Sequence, residues 1–187
     1  MRFMQGKSFD IRILKLNWIQ HVDDPTDLCA HGSVFVRIAD KIICDDKDGD
    51  GWTLSATALH LMRTLERNYC PGDFAGLLIP CCGFFMIANE MGDQVNLCGC
   101  PNGFDWIIKH EGNVVRHIAD TGEQAVINWY NYLKLVLSFA DKVQQFYHAS
   151  TPKTLPSDDF DLNGYKAFWT EWQSLRNKGP QNLQLVI

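Results

Sequence analysis

The chain has 187 residues, 46% of them hydrophobic and 12% aromatic, which is enough apolar mass to fill one core without staples. Its 17 Lys and Arg against 22 Asp and Glu leave a formal charge of -5. This balance argues against a nucleic-acid binder and favours small ligands or a basic protein partner. No window approaches the roughly 18 uninterrupted apolar residues of a membrane span, and Met1 to Gly6 lack the apolar run of an export signal. The expectation is therefore one cytoplasmic domain over residues 1–187, frayed at 1–6 and 179–187. The 7 cysteines are odd in number and follow no framework spacing, so they read as reduced thiols with no disulfide.

From Lys7 to Gln20, Phe9, Ile11 and Ile13 alternate with Asp10 and Arg12, after which Leu14, Leu16 and Trp18 take the opposite phase. This is a strand with a bulge near Ile13. Asp23 to Asp27 is turn chemistry, and Val34 to Ile38 with Ile42 to Cys44 reads as a hairpin around Ala39 and Asp40. Leu54, Ala58, Leu61, Met62 and Leu65 then mark one face of a helix, capped by Thr53 or Ser55 and stopped at Cys70-Pro71-Gly72.

Between Ile79 and Ala119, turn chemistry at Asn89 to Asp93, at Pro101-Asn102-Gly103 and at Gly112-Asn113 cuts the chain into four short runs. They are Phe84 to Ala88, Gln94 to Cys100, Phe104 to His110 and Val114 to Ile118, and they read as an antiparallel meander. Thr121 with Gln124 then forms a capping box for a long helix whose apolar positions are Val126, Trp129, Leu133, Val136, Ala140 and Val143. A loop with Pro152 and Pro156 leads to a last helix ending before Gly179-Pro180. It carries the aromatic stripe Tyr165, Phe168, Trp169 and Trp172, read as core, with Lys166, Glu171 and Gln173 on its outer face. Strands and helices do not alternate, so the predicted class is α+β, an antiparallel meander sheet with about three helices packed on one side.

Three constellations are candidates for chemistry. Asp46 to Gly51 reproduces the first half of an EF-hand calcium loop, but position 12, a bidentate glutamate in that motif, is Thr57. An acidic loop leading into a helix is the simpler reading, with at most weak calcium binding. Cys81, Cys82, Cys98 and Cys100 have the donors for zinc but not the spacing; small buried hydrophobes explain them more simply. Cys98 or Cys100 with His110 or His117 is the best thiol and base set for a small cytosolic enzyme. No phosphate loop, His-Glu-x-x-His or dinucleotide fingerprint occurs. No metal, cofactor or catalytic residue is therefore assigned, and surface charge carries the binding hypothesis: Asp45, Asp46, Asp48 and Asp50 in one loop and Asp158, Asp159 and Asp161 in another, with Trp52, if exposed, as an anchor.

At Trp52 to Glu66 (WTLSATALHLMRTLE), Ile79 to Phe85 (IPCCGFF) and Cys100 to Trp106 (CPNGFDW), the chain resembles a group of small bacterial proteins. They look like the immunity partners of polymorphic toxins and contact-dependent growth inhibition systems. The likeness runs from Ser33 onward. It implies a non-enzymatic cytoplasmic protein that binds and neutralises one cognate toxin domain, often a basic nuclease, with no nucleic acid or membrane as partner.

Overall fold

The structure, a computed structural model, describes residues 8–81, 85–99 and 101–181. The run Leu54–Arg63 forms the first helix, α1. Its apolar spacing predicts burial of one face, yet every residue from Leu54 to Met62 is buried. Small side chains explain this. Ser55, Ala56, Thr57 and Ala58 keep the helix thin enough for neighbours to close on all sides, and the Thr57 hydroxyl satisfies itself on the Thr53 carbonyl at 3.1 Å. α1 ends at Thr64, well before the expected stop at Cys70 to Gly72. The Thr64 hydroxyl, which donates to the Leu61 carbonyl at 2.7 Å and meets the Tyr132 hydroxyl at 2.6 Å, anchors that end. Thr53 holds the N-cap position, but its hydroxyl donates to the Cys81 carbonyl at 3.2 Å and caps nothing. Ser55 lies inside the helix.

Against α1 lies an antiparallel sheet of β1 (Phe9–Asn17), β2 (His31–Ile38), β3 (Lys41–Cys44) and β4 (Trp52–Thr53), ordered β1-β2-β3 with β4 also on β2. The predicted bulge is present as a register shift between Ile13 and Lys15. The β2–β3 hairpin turns through Ala39 at φ 54°. Val34, Val36 and Ile38 point into the core with no exposure, the period-2 burial expected of a sheet covered on one face. Gly32 is required here, because a Cβ would sit 1.9 Å from the Lys15 carbonyl oxygen and 2.8 Å from the Leu54 side chain.

The predicted meander is antiparallel throughout but is split among three small sheets. β5 (Ile79–Pro80) pairs with β8 (Gly103–Phe104), β6 (Phe85–Ala88) pairs with β7 (Val95–Cys98), and β9 (Ile107–Glu111), β10 (Val114–Ile118) and β11 (Gln124–Asn128) form a third sheet. The turns at Asn89 to Asp93 and at Gly112-Asn113 stand, whereas at Pro101-Asn102-Gly103 the glycine already lies on β8, which pairs with β5 and not with β7; Phe84, Cys82 and Cys100 lie outside the described residues. β11 corrects the predicted start of the long helix. The Ala119 amide donates to Glu123 at 2.9 Å and Gly122 adopts φ 93°, which closes a further hairpin. Thr121 therefore sits in a turn and Val126 on a strand. The helix, α2 (Trp129–Ala149), is capped instead by Asn128, which accepts the Tyr130 amide at 3.0 Å. It buries Leu133, Val136, Ala140 and Val143 as their spacing requires.

The last helix, α3 (Asp159–Gln181), runs through Gly179 and Pro180 rather than stopping before them. Tyr165, Phe168 and Trp172 are buried and Trp169 is half-buried, so the aromatic stripe is core. At Gly164 the helix rides directly on β6: a Cβ there would fall 1.8 Å from the Met86 carbonyl oxygen. Glu171, expected on the outer face, is buried instead. Its carboxylate takes Arg63 in a two-pronged ion pair at 2.7 and 2.8 Å and accepts the Val95 amide at 2.9 Å, while Arg63 donates to the Val95 carbonyl at 2.5 Å. This pair occupies the edge of β7 as a neighbouring strand would, one group accepting and the other donating. The buried apolar residues of sheet, hairpins and helices join in a single core cluster.

Candidate protein interface

The first acidic loop is built by local hydrogen bonding rather than by a ligand. Asp45 caps a single 3-10 turn, Asp46–Asp48: its carboxylate accepts the Lys47 amide at 2.8 Å, and Asp48 returns a bond to the Asp45 amide at 2.7 Å. Asp46 accepts the Ser33 hydroxyl at 3.1 Å, and Asp50 holds Lys15 at 2.5 Å, which keeps its carboxyl below the usual range. The calcium-like half is thus a self-bonded turn. Its position 12, Thr57, lies buried in α1. Among the described residues no group of three His, Cys, Asp or Glu could hold a metal ion. Trp52 is half-buried, edge-on to Phe104 at 4.8 Å, with its backbone bridged to Cys81. It is a packing residue between two sheets rather than a free anchor.

The second acidic group opens α3. Asp158 accepts the Asp161 amide at 3.0 Å, while Asp158, Asp159 and Asp161 all stay exposed. Slight desolvation by the neighbouring chain and the like charge of Asp158 raise the Asp161 carboxyl. The two groups sit on different parts of the fold, the first against β2 and the second on the helix that covers β6.

Of the candidate thiol and base set, Cys100 lies outside the described residues, and the described members are set apart in the fold. Cys98 lies on β7, whereas His110 and His117 lie on β9 and β10, in a different sheet. His110 Nε2 donates to the Thr64 carbonyl at 2.7 Å. His117 is fully buried, stacked 3.5 Å from the Phe9 ring, and its Nδ1 accepts the Trp106 indole N–H at 3.0 Å. Burial, with His110 nearby, pushes it down to about 3, so it is neutral at physiological pH. His60 is neutral too, lowered to about 3 by burial and by Arg63. Burial pushes the Cys29 and Cys44 thiols up to about 12, which removes them as thiolate nucleophiles. Cys81 is disulfide-bonded, contrary to the expectation of reduced thiols throughout. Its amide donates to the Asn102 carbonyl at 3.0 Å, so strand pairing brings it against a segment twenty residues on in a way that spacing does not reveal.

A cleft of about 600 Å3 opens between the β6–β7 hairpin tip and the first turns of α3, bordered by Ile87, Met91, Phe160 and Lys166. Met91 is 79% exposed and Phe160 53%. A second, more polar cleft of about 460 Å3 adjoins it, sharing Asn89 and Thr170, and is floored by Phe74 and the Arg63–Glu171 pair. Met91 gives no signal in the sequence because a lone apolar residue in a turn carries no periodicity, and Phe160 gives none because it stands among aspartates. Set against protein-family models, curated proteins and solved structures, the chain matches none.

Proposed function

We propose that the protein is an immunity-type binding protein that neutralises a cognate, basic bacterial toxin domain in the cytoplasm. One observation carries the reading: Asp46, Asp48, Asp158, Asp159 and Asp161 are exposed and Asp45 and Asp50 half-buried, in two groups ordered by caps and turns, on a chain of net charge -5. Pre-set surface carboxylates speed encounter with a basic protein and lose little freedom on binding. Supporting it, His60, His110 and His117 are committed to hydrogen bonds, and Cys29 and Cys44 to packing. Among the described residues no helix is long and apolar enough to cross a membrane. A cytoplasmic site of action also requires that the fold survive reduction of the Cys81 disulfide.

The test is to read the frame upstream of this chain's gene and, where it encodes a secreted protein with a variable C-terminal domain, to co-express that domain with this chain. Pull-down and growth rescue are the expected results; a domain that neither binds nor is neutralised would end the reading. Replacing Asp46, Asp48 and Asp50 together by Asn is expected to slow association several-fold and flatten its salt dependence, with melting unchanged, as loss of charge that steers encounter at a distance does.

A further inference from the structure

We propose that the contact surface is the cleft between the β6–β7 hairpin tip and the start of α3. Its occupant would be a protein domain presenting an apolar side chain within a ring of Lys and Arg. The inference rests on the toxin-binding reading and locates it.

Apolar exposure comes first. Met91 at 79% and Phe160 at 53% line the cleft, and Phe85 at 65% shares a strand face with the cleft residue Ile87, two positions on. Folding gains nothing from so much exposed apolar surface gathered in one place, and such clustering marks interaction sites. Charge specifies the partner. Glu90 lines the cleft beside Met91, Asp93 follows two positions on, and Phe160 has Asp158, Asp159 and Asp161 within two positions of it in the chain, against one basic residue of the cleft wall, Lys166. A basic rim on the partner is complementary to this pattern. A second copy of this acidic chain is not.

The two anchors are also held rigidly with respect to each other. Asn89 organises the tip: its side-chain oxygen accepts the Asp93 and Gln94 amides at 3.1 and 3.3 Å, and its side-chain amide donates to Asp93 at 2.7 Å. Gly164 seats α3 on the Met86 carbonyl, fixing Phe160 relative to the hairpin. A surface that needs no ordering on binding spends its contacts on affinity.

Binding of the neighbouring toxin domain to Met91→Glu, Phe160→Ser and the double variant, followed by biolayer interferometry, decides the matter, with thermal melting as the fold control. The expected result is affinity weakened about 30-fold or more, mostly through faster dissociation, as for central anchors, with melting unchanged. Hydrogen exchange should show protection over residues 85–98 and 158–170 in the complex. Unaltered affinity in the double variant, with protection confined to residues 45–53, would place the interface elsewhere while leaving the toxin reading intact. Absence of any complex with the unaltered chain would remove both. A concentration-dependent dimer dispersed by Met91→Glu would assign the cleft to self-association and overturn the proposal.

Discussion

His117 shows how a titratable group becomes packing. With Nδ1 accepting from Trp106, the proton sits on Nε2, which is buried without a partner among the described residues; the ring then serves as a flat spacer between Phe9 and Tyr132. The unfolded imidazole takes a proton near its ordinary value, whereas the folded one resists until about 3. Its stabilising contribution is therefore complete above pH 6.5 and is lost as pH falls toward 3. The same holds for His60. Each should remove roughly 1 kcal/mol of stability per pH unit across that window. Asp105 runs the other way: burial raises it, with the Tyr69 hydroxyl and two amides opposing, so what it contributes is present at low pH and diminishes as pH rises through its folded value. Urea unfolding at pH 7 and pH 5 should show a net loss on acidification that is smaller in His117→Phe than in the parent. None of this was visible in the sequence, where His117 and His110 are two imidazoles near four cysteines. Burial and partner identity depend on which sheet each strand joins.

Among elements, the seat of α3 on the hairpin is the most exacting. Gly164→Ala would drive a methyl into the Met86 carbonyl, and backbone cannot yield as a side chain can, so a loss of about 2–4 kcal/mol is expected on denaturant melting. A cost near that of an ordinary helical Gly→Ala change, which is stabilising, would mean that the contact is looser than the geometry requires. The Arg63–Glu171 pair calls for a double-mutant cycle. Either Arg63→Met or Glu171→Leu alone should cost about 3–5 kcal/mol, because the surviving charge is left buried, and the double change less than their sum. Element boundaries were legible where turn chemistry was explicit, as at Gly112-Asn113 and the bulge near Ile13. They were illegible where two local signals competed. Thr121 and Gln124 have the letters of a capping box, but pairing with β10 made 124–128 a strand and gave the cap to Asn128.

At the scale of the whole molecule, the antiparallel α+β class could be read because period-2 and helical spacings are properties of single segments. The partition of the meander into three sheets could not, since it depends on α1 standing at the centre with no free face. Loop order is global as well. Lys153, with only 6% of its side chain exposed, lies 3.3 Å above the Trp18 ring, holds Asp23 at 3.0 Å and donates to the Asp24 carbonyl at 2.9 Å. The Thr154 amide reaches Pro25 at 2.8 Å. This clasp joins the loop before α3 to the loop after β1, 130 positions away in sequence. Lys153→Met keeps the stem and removes the charge, and is expected to raise the rate of proteolytic nicking within 150–158 while helices and sheets hold.

The edge of β7 has one further consequence. Arg63 and Glu171 stand where another strand would lie, so the ion pair insulates a short ladder whose hairpin carries the exposed Phe85 and Met91. Removing Glu171 frees the Val95 amide at a position where an incoming extended chain finds matching donors and acceptors. Such a variant should then be lost more to fibrillar deposition on storage than to simple unfolding. If so, amide I infrared bands of intermolecular strands would appear in Glu171→Leu before the far-ultraviolet helix signal declines, and the shelf life of this protein would be set by one carboxylate.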